Sequence, residues 1–364
     1  MNRLNLRVWI FHDERKKLEG MNNQLAAHSL LVVPESVHEE SVNKLLSESE
    51  PSAPLSRLYS LIESECSRLK VESELHFTEI NGRKWSNFDQ ASLNILRILS
   101  SALRHKGKPQ GEFEWPEVPP LYCRWGVLMY PDDRKSLDFY SGDPRERAQA
   151  YFETFLRFAL KSLLHYGFRG VRVEVLGIVF DGREHLYKDI DTRRVLERLK
   201  GELREGISLA DEICVEYVDS DHRGSKRPEF SRLLQANDLL LGAATHFFER
   251  LFQEDSPGNA TMFFEQHKRN YGLKPRFGTK MEDGFSKKAL VAWPVVALIQ
   301  KVLERQREKS LRNSGHYRSF TISKVTRKED GTLTFQPYQE LLEFKHDGLK
   351  LRTFSEILFK PIEE

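Results

Sequence analysis

Six acidic residues stand where apolar runs end, or where an acid is out of place. Asp13 and Glu14 follow Val8-Trp9-Ile10-Phe11, Asp181 follows the apolar run 171–180, and Asp219 follows 213–218. Glu79 closes the short segment Leu75-His76-Phe77-Thr78-Glu79. Asp238 sits among Leu233, Leu234, Leu239, Leu240 and Leu241, in a helical pattern. Asp is a poor helix-interior residue and is costly to bury without a partner. Gln235 and Gly242 fall on the same helix face as Asp238, so that face offers two polar groups and a gap that something can approach closely. Carboxylates gathered in this way suit a hard divalent cation, Mg²⁺ or Mn²⁺, and two such ions stabilise the attacking and leaving oxygens of phosphodiester cleavage. The plainer reading is that each acid makes a turn or a cap. On that reading Asp181-Gly182 and the polar loop after Asp219 are ordinary turns, and Asp238 pairs with Arg232. His76, His222 and His246 flank the acids in sequence and are surface or hydrogen-bonded histidines on the same plain reading.

These acids need elements to position them. Apolar periodicity predicts strands over residues 4–13, 26–33, 121–130, 171–180 and 213–218, with 75–80 short and extended. It predicts helices over 37–46, 55–69, 88–103, 191–204 and 230–251. The clearest helix starts with Asp143 as N-cap, Pro144 at the first position and Glu146 three after the cap, and Gly167 can stop it. The later half alternates strand and helix, which predicts an α/β sheet with parallel pairing, and ligands gather outside the carboxyl ends of such strands. Segments 47–56, 106–120 and 254–260 carry the Pro, Gly and Ser of linkers, and the last predicts a boundary between domains 1–253 and 254–364.

Composition narrows the classes. The 364 residues can bury a core without staples. Hydrophobic residues at 39% and charged residues at 30% argue against both a membrane protein and wholesale disorder. No run approaches ~20 apolar residues, and the N-terminal apolar run is too short for a signal peptide. Cys66, Cys123 and Cys214 form no CxxC pair, which excludes the usual zinc spacing and predicts a reducing cytoplasm. No phosphate loop, HExxH, GxSxG or dinucleotide fingerprint occurs.

Net charge is only +2, yet residues 265–330 hold sixteen Lys or Arg against seven Asp or Glu, an excess of nine. Phe263, Phe264, Tyr271, Phe277, Phe285 and Tyr317 are interleaved with them. Basic residues with aromatics suit phosphate contact and base stacking, so Arg276, Lys287 and Lys288 are candidate nucleic-acid contacts. A solvated basic helix face, or contact with a protein partner or a second copy of the chain, is the alternative use of this extension. A helix over 286–311, interrupted at Pro294, and a hairpin over 320–326 and 332–335 are expected there. Asp330 with Glu343-Phe344-Lys345 forms a rival acid pattern, but Asp330 reads more simply as the hairpin turn.

The order Asp13-Glu14, His76-Phe77-Thr78-Glu79, Asp181, Asp219-Ser220 and Leu234-Gln235-Ala236-Asn237-Asp238-Leu239 resembles a known group. It is similar to the bacterial domain-of-unknown-function family thirty-eight-hundred, over about residues 5–250. Members open with a strand ending Asp-Glu-Ser-Gly and carry a late helix with Leu-Gln-x-Ala-Asp-Leu. Here Arg15-Lys16 stand in place of Ser-Gly, and Asn237 in place of the Ala before the helix Asp. The resemblance implies an RNase H-like mixed sheet flanked by helices, followed here by a basic α+β C-terminal extension. It implies Asp13, Asp181 and Asp238 as metal-binding acids, Glu79 as a fourth, and Glu14, Asp219 and Gln235 in support. The function then expected is metal-dependent nuclease chemistry. The alternative is a catalytically silent RNase H-like module that binds nucleic acid or a protein partner in a bacterial defence or mobile-element system.

Overall fold

The computed structural model describes residues 3–15, 25–40, 53–103, 118, 121–131, 144–168, 171–183, 190–253, 278–280, 284–305, 320–327 and 333–337. The chain is α/β, a mixed sheet flanked by helices. Its strands are β1 (Arg3–Arg15), β2 (Leu25–Glu40), β3 (Arg124–Pro131), β4 (Arg172–Asp181), β5 (Ile207–Val218), β6 (Phe320–Arg327) and β7 (Leu333–Pro337). Its helices are α1 (Pro54–Arg68), α2 (Asn87–Ala102), α3 (Pro144–Gly167), α4 (Thr192–Lys200), α5 (Pro228–Gln253) and α6 (Gly284–Arg305), with a 3-10 turn at Phe77–Glu79.

Strand order is β5-β4-β1-β2-β3-β6-β7. β1, β2 and β3 pair antiparallel, whereas β4 and β5 continue parallel to β1 on its other side. β6 joins β3 in parallel and β7 closes that edge antiparallel, so the expected hairpin is part of the same sheet. Strand alternation divides the core into two layers. Val8 and Ile10 face α3 and α4, together with Leu30, Val32, Phe152 and Leu196. Trp9 and Phe11 face α5, together with Leu31, Val33, Phe230 and Leu233. The α1–α2 insertion between β2 and β3 lies on the α5 side, and α6 packs against both α2 and α5.

Three expectations change. The predicted helix over 37–46 is extended up to Glu40, as the end of a long β2, and residues 41–46 lie outside the described residues. The segment 75–80 holds a 3-10 turn rather than a strand. α6 runs through Pro294, because burial of residues 289–298 offsets the one hydrogen bond that proline removes. Among the described residues no helix is long and apolar enough to cross a membrane.

Candidate acidic centre

The register of β1 on β4 pairs Phe11 with Val179, both in the α5-side layer. Two residues further along each strand stand Asp13 and Asp181, which alternation keeps on the same face. Their level is the carboxyl end of the parallel strands β1, β4 and β5. α5 crosses that face and presents Asp238 between the turn at Phe77–Glu79 and the end of β1. Asp238, then Glu14 and Asp181, push up the pKa of Asp13, so these carboxylates lie within electrostatic reach of it.

Each acid is held differently. Asp13 takes one hydrogen bond, from the backbone N–H of Glu14 at 2.8 Å, and among the described residues it has no cationic partner. Burial first, and then the charge of Asp238, raise its carboxyl well above the usual range. Asp238 accepts a bond from His76 Nδ1 at 2.9 Å and a long one from the Phe77 N–H at 3.4 Å. The other His76 nitrogen, Nε2, meets Glu74 at 2.9 Å. Bonds to Asp238 and then Glu74 push the His76 pKa up to about 10, so the ring is an imidazolium at neutral pH. Asp181 accepts from Ser220 Oγ at 2.9 Å and from the Arg183 backbone at 3.0 Å. The Arg183 guanidinium spans Glu74 at 2.7 Å and Asp181 and Asp219 at 3.4 Å each, and it also reaches Ser220. Burial alone would raise Glu74, yet bonds from His76, Arg183 and Ser220 hold it at about 2.

The scaffold explains why these groups meet. Gly242 leaves space that a Cβ would contest with Phe77 at 2.2 Å, so the turn rests directly on α5 and brings the Phe77 N–H to Asp238. The close approach expected at Gly242 is therefore the ring of Phe77. Asn237, one residue before Asp238, is fully buried and donates to the backbone carbonyls of Phe11 at 3.0 Å and Ser29 at 3.2 Å. It pins α5 across β1 and β2, and Ser29 in turn donates to Asn237 Oδ1 at 2.7 Å. Gln235 donates to the Ser220 carbonyl at 2.5 Å and fixes the loop after β5. Arg232 is spoken for elsewhere, by Glu63 at 2.8 Å, Gln235 at 2.9 Å and His222 at 2.8 Å, so it does not pair with Asp238. Arg15 reaches across to Thr245 on α5 at 3.0 Å.

Other expected residues lie apart from the centre. Glu79 ends the 3-10 turn exposed, and among the described residues its side chain makes no hydrogen bond or ion pair. Glu74, two residues before His76, is the acid that reaches the network instead, and Arg183 is the cation that sequence reasoning passed over. An x-Glu-x-His alternation beside Asp181-Gly182-Arg183 was the available signal. Alternation turns the Glu14 side chain to the opposite face, so that it supports Asp13 through its backbone. Lys287, expected on a nucleic-acid surface, is buried at 3% exposure. It bonds Asp89 at 2.7 Å and the carbonyls of Asn81 at 2.7 Å and Lys84 at 2.9 Å. It is a structural cation joining α6 to the start of α2, not a substrate contact. Lys288 is half-buried, while Arg276, Asp330 and Glu343-Phe344-Lys345 lie outside the described residues.

The donors are hard carboxyl oxygens, and Asp13 has no cationic partner among the described residues, so the residue types fit a divalent cation. Their present arrangement does not yet form a site. Among the described residues no three His, Cys, Asp or Glu side chains stand as a group that could hold a metal ion, and Asp238 and Asp181 instead pair with His76, Arg183 and Ser220. No family model, curated protein or solved structure matches the chain.

Proposed function

We propose that the chain is an RNase H-like, Mg²⁺- or Mn²⁺-dependent nuclease whose cation ligands are Asp13, Asp181 and Asp238. The observation that carries this is Asp13: a carboxylate at the end of the central strand, without a cationic partner, beside two further carboxylates from β4 and α5. A central strand, a later parallel strand and a late helix each deliver one acid, the distribution that the resemblance to family thirty-eight-hundred implies. A bound divalent cation would supply neutralisation of the carboxylates and polarisation of a phosphate oxygen or water. The chain itself positions the acids through Asn237, the Gly242–Phe77 contact and the Gln235–Ser220 bond. An acidic centre repels a polyanion, so nucleic acid is held elsewhere. With Lys287 buried, the proposed contacts are the other basic residues of 265–330, Arg276 and Lys288 among them. Cys66, Cys123 and Cys214 are all free, in keeping with a reducing cytoplasm.

The test is cleavage of single- and double-stranded DNA and RNA with Mg²⁺ or Mn²⁺. Asp238→Asn abolishes cleavage and leaves nucleic-acid affinity equal or higher, because one negative charge is lost. An Asp238→Asn protein that cuts like the parent refutes the reading. The second reading, a silent module that binds nucleic acid or a protein partner, is favoured by the engagement of Asp238 and Asp181 with protein cations. It requires nucleic-acid or partner binding with no cleavage under any cation.

A further inference from the structure

We propose that Lys84 and Lys280, with Arg83 at the bend before Lys84, form a contact for the backbone phosphates of a nucleic acid. This rests on the reading that the chain binds nucleic acid, and it holds whether or not the acidic centre takes a cation.

Two segments far apart in sequence meet here. Residues 81–84 follow the 3-10 turn, and Lys84 pairs antiparallel with Lys280 in an isolated bridge. The Trp85 N–H donates to the Thr279 carbonyl at 2.9 Å, so the bonded positions flank Lys84 and Lys280 rather than coincide with them. That is the narrow kind of antiparallel pair, whose opposed Cβ atoms stand roughly 4.5–5.5 Å apart. Like charges directly opposite each other in a ladder are destabilising. Arg83, Lys84 and Lys280 are exposed, and among the described residues none of them forms an ion pair. Glu79, four residues before Arg83, meets none of them, and Glu282 and Asp283 lie outside the described residues.

The opposition is built into a fixed frame. Behind the bridge, the buried Lys287 ammonium donates to the Asn81 and Lys84 carbonyls at 2.7 and 2.9 Å, and Asp89 balances its charge. Trp85, 2% exposed, packs into the α5-side layer, and the Gly278 N–H donates to its carbonyl at 2.9 Å. Gly82, at φ +69°, makes the bend that turns the chain into the bridge. The lysine stems therefore cannot separate, although their ammonium groups can splay into water. A solvated lysine needs no partner, but two held opposite each other carry a repulsion that an anion between them removes. A phosphate there meets two donors at once, and a neighbouring phosphate of the same strand can meet Arg83. Such contacts hold and orient a polynucleotide without reading its sequence.

The experiment uses the full chain in EDTA with labelled single- and double-stranded DNA and RNA oligonucleotides, titrated over a range of salt. A triple variant, Arg83→Gln with Lys84→Gln and Lys280→Gln, is compared with the parent. The control is Arg193→Gln with Arg194→Gln and Lys200→Gln, which removes the same charge from exposed positions of α4, on the other face of the sheet. The bridge variant is expected to bind about tenfold more weakly at low salt, with a slope of log affinity against log salt flatter by about two to three. The α4 variant keeps the parent slope. A separate Lys84→Glu variant is expected to melt no lower than the parent, because a carboxylate opposite Lys280 replaces repulsion by attraction, and yet to bind more weakly. If the parent binds an oligonucleotide and the bridge variants bind it with the parent's affinity and slope, the contact is overturned while the nucleic-acid reading stands. If the parent binds none of the four oligonucleotides, both are overturned.

Discussion

Lys287 and Asp13 are both ionisable groups placed against the same α5-side layer, and they are treated in opposite ways. Lys287 meets one carboxylate and two carbonyls, and Asp89 is itself completed by the Ser86 N–H at 2.7 Å in the capping box of α2. The two charges there meet each other on Asp89 Oδ2, while Asp89 Oδ1 is buried without a hydrogen bond among the described residues. Asp13 has one backbone N–H, and burial followed by three neighbouring carboxylates, Asp238, Glu14 and Asp181, raises its pKa. The Lys287–Asp89 pair carries architecture, whereas Asp13 is the group on which the proposed cation site rests.

The largest effect comes from breaking the finished pair. Lys287→Met leaves Asp89, which is 1% exposed, as an uncompensated buried charge. The expected loss is about 3–5 kcal/mol in urea unfolding, the same with or without Mn²⁺. A loss that Mn²⁺ reverses would place Lys287 in the cation site and erase the contrast.

A smaller effect separates both charged regions from the other face of β1. His12, the neighbour of Asp13, turns into the α3-side layer and meets His28 at 2.9 Å between Tyr130, Phe152 and Phe180. Burial, and then the charge of His12, hold the His28 pKa well below the usual value, so the buried rings are neutral. A lowered histidine pKa gives stability that is present above about 6.5 and lost as pH falls toward the folded value. Glu74, held at about 2, adds an acid loss only below the ordinary glutamate value of 4.5. In EDTA, the parent minus His28→Leu difference in unfolding free energy should therefore shrink as pH falls from 6.5 to 4.5. A difference that stays flat would mean that the pair does not stay neutral.

Much of this contrast was legible in the sequence, and the misses have physical causes. Asp13 and Asp181 were visible because buried strands write continuous apolar runs, and an acid ending such a run is conspicuous. Asp238 was visible because an acid among leucines violates helix patterning. Glu74 was not, because an exposed loop carries no period, and Glu79 two turns of sequence logic away looked equally good. Lys287 was misread because a charge count cannot tell a lysine with three buried acceptors from a solvated one. The end of β2 was misread because residues 37–40 alternate only briefly, and the pairing of Arg3 with Glu40, which extends it, is long-range. Pro294 signalled a break that tertiary packing overrode.

The central claim of the proposed function is that Asp13, a carboxyl without a cationic partner among the described residues, is a cation ligand, and one comparison of thermal midpoints tests it most directly. The parent and Asp13→Asn are melted in EDTA and again in saturating Mn²⁺. The account predicts that Asp13→Asn melts higher than the parent in EDTA, because the amide escapes the burial cost and the repulsion from Asp238 that disfavour an ionised Asp13. In Mn²⁺ the parent rises, by about 2.7 kcal/mol of stabilisation at a hundredfold excess over Kd, and the variant does not. A variant that melts lower in EDTA, or Mn²⁺ shifts that are equal in both proteins, would contradict it.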